Sequence, residues 1–174
     1  MKKRIFAAIA ISDSLQEEIL RYEEKWNRLP VRWLQGKNLH LTLVPPWYGE
    51  VGETVASFAN TAGSGVSAEL TFQKVQYGPD EHRPRLVWAK GKAAKSIHDL
   101  KCRLEHLLEV KSEYRPWLPH LTIARFKPED FSRFPVKKID DAVSWSENVQ
   151  SFVLMESSLS RSGAEYKILE EFKL

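Results

Sequence analysis

Two short stretches of the chain carry residue types suited to acid–base chemistry. His40-Leu41-Thr42-Leu43 and His120-Leu121-Thr122-Ile123 share the pattern His-Leu-Thr-aliphatic and lie 80 residues apart in a chain of 174. Both read as β-strands. Side chains alternate between the two faces of a strand, so His and Thr point one way and the aliphatics point the other. Each phrase therefore sets an imidazole beside a hydroxyl and anchors itself by its opposite face. An imidazole with an unperturbed pKa of about 6.5 serves as acid or base near neutral pH. Two of them across a phosphodiester can divide the work, one taking a proton from water and the other protonating the leaving oxygen. Each Thr hydroxyl can donate to a phosphoryl oxygen as charge builds there. A zinc site needs three or four ligands, and neither His-x-x-x-His nor Cys-x-x-Cys stands near these phrases.

One His-x-Thr is weak evidence, since most such tripeptides in strands are structural. The elements ahead of each copy change that judgement. Ile5 to Ala10 is a continuous apolar run, read as a central strand. A helix follows, capped by Ser12 or Asp13, with Leu15, Ile19, Tyr22 and Trp26 on one stripe and Pro30 at its end. His40 arrives 36 residues after Arg4. In the second half Arg85 to Lys90 reads as a strand. A helix from about Ala93 to Val110 turns Ile97, Leu100, Leu104, Leu107 and Leu108 inward, and His120 arrives 35 residues after Arg85. The repeated order predicts an α+β fold of two pseudo-symmetric lobes, each an antiparallel sheet with helices on its outer side and the cleft between them. Residues 1–174 are read as a single bilobal domain with this internal strand-helix-motif duplication.

The remaining segments are less sharply patterned. Arg32 to Leu34 reads as a short strand, Gly36 to Asn38 as a turn, and Pro45 and Pro46 as the end of the first motif strand. A short helix over Gly52 to Asn60 and a Gly/Ser linker over Thr61 to Ser67 follow. Glu69 to Gln76 alternates as a strand, Phe131 to Ser146 has no clear period, and Val149 to Lys173 resembles a hairpin around Ser162-Gly163. His82 is expected in an exposed loop, and His98 and His106 on a solvated or core-edge face of the second helix. Lys127 and Arg115 are expected to be ordinary solvated charges.

Composition places the chain among ordinary globular proteins, with 43% hydrophobic and 28% charged residues. A formal charge of +3 and a pI near 8.9 permit an anionic substrate without demanding nucleic acid. The single Cys102 excludes an internal disulfide and fits a reducing cytoplasm. Its place in a helical pattern marks it as a buried small hydrophobe. Met1-Lys2-Lys3-Arg4 before an apolar run imitates a secretory signal. That run is only seven residues and gives way at once to Ser12-Asp13, so it is read as a buried strand. No segment approaches the ~18 apolar residues of a membrane span.

The chain resembles the 2H phosphoesterase superfamily, and within it the RNA 2′,3′-cyclic phosphodiesterases, also called 2′-5′ RNA ligases. The resemblance runs through Arg4-Ile5-Phe6-Ala7-Ala8-Ile9, Asn38-Leu39-His40-Leu41-Thr42-Leu43 and Pro84-Arg85-Leu86-Val87-Trp88. It continues through Pro119-His120-Leu121-Thr122-Ile123-Ala124-Arg125 and ends with Ser158-Leu159, Gly163, Tyr166 and Leu169. It implies that His40 donates a proton to the leaving ribose oxygen and that His120 is the base for water. Thr42 and Thr122 become phosphate ligands, with Arg125 a further phosphate-binding candidate. The implied reaction needs no metal or cofactor and yields a 2′-phosphate. The implied partners are RNA ends or oligonucleotides bearing a 2′,3′-cyclic phosphate, met by a monomeric cytoplasmic protein away from membranes.

Two alternatives stay open. The same site could act on 2′,5′-linked oligonucleotides, in hydrolysis or ligation, or on a small nucleotide's cyclic phosphate. A non-catalytic RNA-end binding protein is the reading from a different class. Two local departures bear on the site. Val44 to Glu50 carries about two residues more than the family's aromatic-Leu-Gly-acidic segment, with Tyr48 in place of Leu. Arg125 lies five residues after His120, so strict alternation places it on the opposite face unless the strand ends, twists or bulges there.

Overall fold

The computed structural model describes residues 1–61, 68–110, 116–160 and 163–174. Its frame is one antiparallel sheet. The strands are β1 (Lys3–Ala10), β2 (Arg32–Trp33), β3 (His40–Gly49), β4 (Ala68–Gly78), β5 (Leu86–Ala93), β6 (His120–Arg125), β7 (Asp140–Val149), β8 (Ser151–Ser160) and β9 (Gly163–Lys173). Their order across the sheet is β7-β4-β5-β6-β3-β1-β8-β9, with β2 added beside β6. The sequence β3-β1-β8-β9 on one side is matched by β6-β5-β4-β7 on the other. These are the two expected lobes, joined where the two motif strands meet.

Alternation sorts the side chains of the sheet into two faces. Ile5, Ala7, Ile9, Leu41, Leu43, Val87, Ala89, Leu121 and Ile123 lie in one buried core with residues of α1 (Asp13–Lys25) and α3 (Lys95–Leu107). Among the described residues, the opposite face carries no α-helix. There Phe6, Ala8, Val153 and Met155 form a small second cluster, flanked by Trp47 and Tyr166.

The two long helices each cross to the other lobe. α1 leaves β1 in the first lobe and lies on β7, the far strand of the second. Ser12 caps it by accepting from the Leu15 N–H at 3.4 Å, and the Ser12 N–H donates to Glu147 of β7 at 2.9 Å. At its other end Asp141 of β7 accepts from Tyr22 Oη and Trp26 Nε1, both at 2.9 Å, and from Lys25 Nζ at 3.1 Å. Burial works against the Asp141 charge, but the donations from Trp26, Lys25 and Tyr22 prevail and hold its carboxyl below the usual carboxylate range. α3 leaves β5 and packs against β3 as well as its own strand. A buried Lys101–Glu105 pair lies on the inner side of α3, the Lys101 ammonium 6.0 Å from the Trp117 ring.

Several boundaries differ from the sequence expectation. β3 does not stop at Pro45 and Pro46 but runs to Gly49. Beyond Thr42 β6, which begins at His120, no longer borders it, so one edge of β3 needs no ladder donors. On the other edge its pairing with β1 shifts register between Ile5 and Ala8, where the extra residues of this segment are taken up as bulges. The weakly patterned region 131–146 contains the end of a 3₁₀ turn (Pro128–Arg133) and most of β7. Cys102 is exposed, contrary to expectation. The buried stripe of α3 is Ile97, Leu100, Lys101, Leu104 and Glu105, and residue 102 falls off it. Leu107, expected inside, is 39% exposed at the helix end. α2 (Val51–Ala59) forms about where expected. The Gly/Ser linker after Thr61, Arg115 and Ser162 lie outside the described residues. At the β8–β9 hairpin Gly163 has φ +115°, and a Cβ there would strike the Arg32 guanidinium.

Candidate active site

The site begins with one cross-strand pair. Leu41 of β3 faces Leu121 of β6 in antiparallel register. Stepping one residue either way along that register sets His40 opposite Thr122 and Thr42 opposite His120. Both leucines turn into the helix-covered core, so the four polar side chains share the helix-free face. The second copy is thus the first turned about an axis through the leucine pair.

The neighbouring strands obey the same rotation. Ala10 and Ala8 of β1 face His40 and Thr42, while Lys90 and Trp88 of β5 face His120 and Thr122. This register equates Ala8 with Trp88, one residue away from the alignment of Arg4 with Arg85 suggested by the sequence. The segments Ile5–Ala10 of β1 and Leu86–Ala89 of β5 are apolar on both faces, and such runs carry no phase information.

The two rings are tethered alike. His40 Nδ1 lies 2.8 Å from the Asn38 carbonyl, and His120 Nδ1 lies 2.9 Å from the Leu118 carbonyl. A carbonyl can only accept, so Nδ1 carries the hydrogen and Nε2 is the unprotonated nitrogen of each neutral ring. Among the described residues neither Thr42 nor Thr122 spends its hydroxyl on a protein partner.

Their surroundings differ. The His40 ring centroid is 4.9 Å from both Phe6 and Tyr166. Asn38 ties this group together, because its side-chain oxygen accepts from the Tyr166 N–H at 3.2 Å while its carbonyl holds His40. Burial, above all, and the charges of Arg125 and His120 push the His40 imidazole down to about 4, against the opposing bond to Asn38. His120 instead rests against Trp88, with ring centroids 4.8 Å apart. Trp88 in turn lies across Gly78, where any Cβ would meet the indole.

A bulge decides the face of Arg125. Trp88 pairs with Thr122 and Val87 with Ala124, so β6 spends one extra residue, Ile123, against β5. Alternation restarts after it, and Arg125, opposite Leu86, turns to the face of the histidines. Its charge is felt at His40. Its Nε is buried with no protein acceptor among the described residues. β3 makes the matching bulge at Leu43, but there the chain continues into Pro45, so the first lobe has no counterpart to Arg125.

The other expected positions are simple. His82, His98, His106 and Lys127 are exposed. Among the described residues no three His, Cys, Asp or Glu come together to hold a metal, and no helix is long and apolar enough to cross a membrane. Phe6, Tyr166 and Trp88 lie within the segments that carry the family resemblance, but nothing in the sequence separates a strand residue packing on a histidine from one packing in the core. Asn38 also lies in such a segment, but its hold on His40 is through a backbone carbonyl that no residue type announces.

Residues 11–161 match the family model described as the 2′-5′ RNA ligase superfamily. The chain belongs to that superfamily. Its relatives include a protein of Methanocaldococcus jannaschii known as RNA 2′,3′-cyclic phosphodiesterase, 26% identical, with 97% of this chain and 99% of that protein aligned. A protein of the same name from Aeropyrum pernix is 29% identical over 83% of this chain and 87% of its own length. Solved structures agree on the fold. One from Thermus thermophilus superposes with a TM-score of 0.80 at 22% identity, covering 98% of this chain and 97% of that one. Escherichia coli LigT, solved in complex with 3′-AMP, gives 0.74 at 25% identity over 100% and 99%. This chain therefore shares with them its α+β fold, a curled antiparallel sheet with few helices.

Proposed function

We propose that this protein opens the 2′,3′-cyclic phosphate at RNA ends to leave a 2′-phosphomonoester, by acid–base catalysis between two histidines and without a metal. The observation that carries this reading is the β3–β6 register, which sets two His/Thr pairs on one face about a two-fold axis. A cyclic phosphate between them meets an imidazole on each side. One Nε2 takes a proton from water as its oxygen bonds to phosphorus. The other gives a proton to O3′ as the P–O3′ bond breaks. Thr42, Thr122 and Arg125 supply donors to the phosphoryl oxygens where charge accumulates. The names of the relatives support the substrate class.

The division of labour has two readings. Family position makes His40 the acid and His120 the base. For His40 to carry a proton near neutral pH, the anionic substrate must first offset the Arg125 charge that helps keep it neutral. The ligand-free electrostatics favour the reverse, since a neutral His40 is ready to accept. The direct test assays the purified protein with excess chelator on terminal 2′,3′-cyclic phosphates, 2′,5′-linked dinucleotides and small-nucleotide cyclic phosphates. Turnover of the first to a 2′-phosphate is expected. Activity restored only by added metal, or tight binding without turnover, would overturn the reading.

A further inference from the structure

The four polar residues of the two motifs account for one phosphate. The strand outside them carries a cation that they do not use. Lys90 of β5 faces His120 across the β5–β6 ladder and Lys74 of β4 on its other side. Its ammonium sits 5.5 Å from the Trp88 ring centroid, a cation–π contact that aims a flexible side chain. Lys74 is engaged by Asp140 at 2.5 Å, whereas Lys90 has no carboxylate partner among the described residues. Lys92, two residues on and exposed, continues the same face of β5. The first lobe has Ala10 at the equivalent place.

We propose that Lys90 binds the internucleotide phosphate on the 5′ side of the terminal nucleotide, making this a site for RNA ends in preference to mononucleotides. The proposal rests on the reading above of a cyclic phosphate held between His40 and His120. That phosphate belongs to the β3–β6 seam. β5 is the next strand outward, about 4.8 Å further across the sheet, so His120 stands between the seam and Lys90. A lysine there is displaced from the reacting phosphorus by about the step between successive nucleotides, and as a mobile point charge it suits a backbone phosphate of any sequence. The first lobe has no cation at the matching position, which gives the bound strand a direction: it leaves the seam over the second lobe.

The test compares a mononucleoside 2′,3′-cyclic phosphate with a dinucleotide ending in the same group. Wild-type kcat/KM should favour the dinucleotide. Lys90→Ala should lower the dinucleotide value about tenfold, chiefly through KM, and the mononucleotide value at most about twofold. Lys90→Arg should restore most of the loss. A dinucleotide with an uncharged methylphosphonate at the internal linkage should reduce the wild type to the level of Lys90→Ala and leave the variant unaffected. Equal losses on both substrates would put Lys90 at the reacting phosphate and overturn the proposal, as would no loss on the dinucleotide. Should neither substrate turn over, the functional reading fails, and binding of a dinucleotide bearing a terminal 2′-phosphate decides the inference separately. There Lys90→Ala should weaken binding and lower the slope of log affinity against log salt by about 0.7; unchanged affinity and slope would overturn it.

Discussion

In the first lobe His40 lies between Phe6 and Tyr166 on a floor continued by Val153 and Met155. In the second, His120 touches Trp88, and the strand beyond it offers Lys90. The motifs are nearly identical in sequence, and their tethers to a carbonyl two residues earlier match in kind and length. What distinguishes the rings therefore comes from β1, β9 and β5, and from Arg125, which the second motif strand delivers to the first lobe's histidine. Two imidazoles in identical surroundings would share a single proton equally between them. The flanking strands make them unequal.

The largest expected effect tests that inequality directly. His40→Ala and His120→Ala should each cost roughly 10²–10⁴ in rate on a cyclic phosphate. An activated aryl phosphodiester, whose leaving group needs no proton, should rescue only the variant that lost the acid. Rescue of His40→Ala supports the family assignment, and rescue of His120→Ala supports the reverse. Equal rescue of both would dismiss a division of labour altogether.

A smaller loss is expected from Arg125→Ala, about 10²-fold in kcat/KM for one donor removed from the phosphoryl group. The same change sharpens the comparison by NMR titration. Removing a positive neighbour favours the protonated ring, so the His40 midpoint should rise from about 4 toward 6.5. A midpoint that stays put would show that Arg125 adds nothing to burial and the His120 charge.

The smallest effect concerns the helix that straps one lobe to the other. Asp141→Ala strands the Tyr22 and Trp26 donors of α1, which should cost about 2 kcal/mol and lower Tm by roughly 4–8 °C. The chemical step should change far less, because the clasp lies on the helix-covered side of the sheet.

The sequence was most legible where a pattern had a period. The paired His-x-Thr strands and the two long helices follow from alternation and helical spacing, the buried first strand follows from a continuous apolar run, and all form. Register was not legible, since Ile5–Ala10 of β1 and Leu86–Ala89 of β5 are apolar on both faces and fix no phase. The side of Arg125 turned on a bulge at Ile123, which no residue type announces. Pro45 and Pro46 misled because a proline ends a strand only where the missing N–H has a waiting partner, and that depends on which neighbour stops short. The crossing of the two long helices to the opposite lobe had no local signal, since an apolar stripe states that it will be covered and not by what.

The strand order has a consequence for how the chain reaches this state. β4 to β7 are consecutive, running from Ala68 to Val149, so the second half can pair as it leaves the ribosome. β1 takes β3 on one edge early, but its other edge waits for β8, which is complete only at Ser160. During synthesis, Ile5 to Ala8 present an unpaired, strongly apolar border, the kind that recruits foreign strands. Pairings this distant are slow to find. The half that holds His40 therefore matures last, and a chain interrupted before residue 150 would carry one assembled motif beside an open sheet edge.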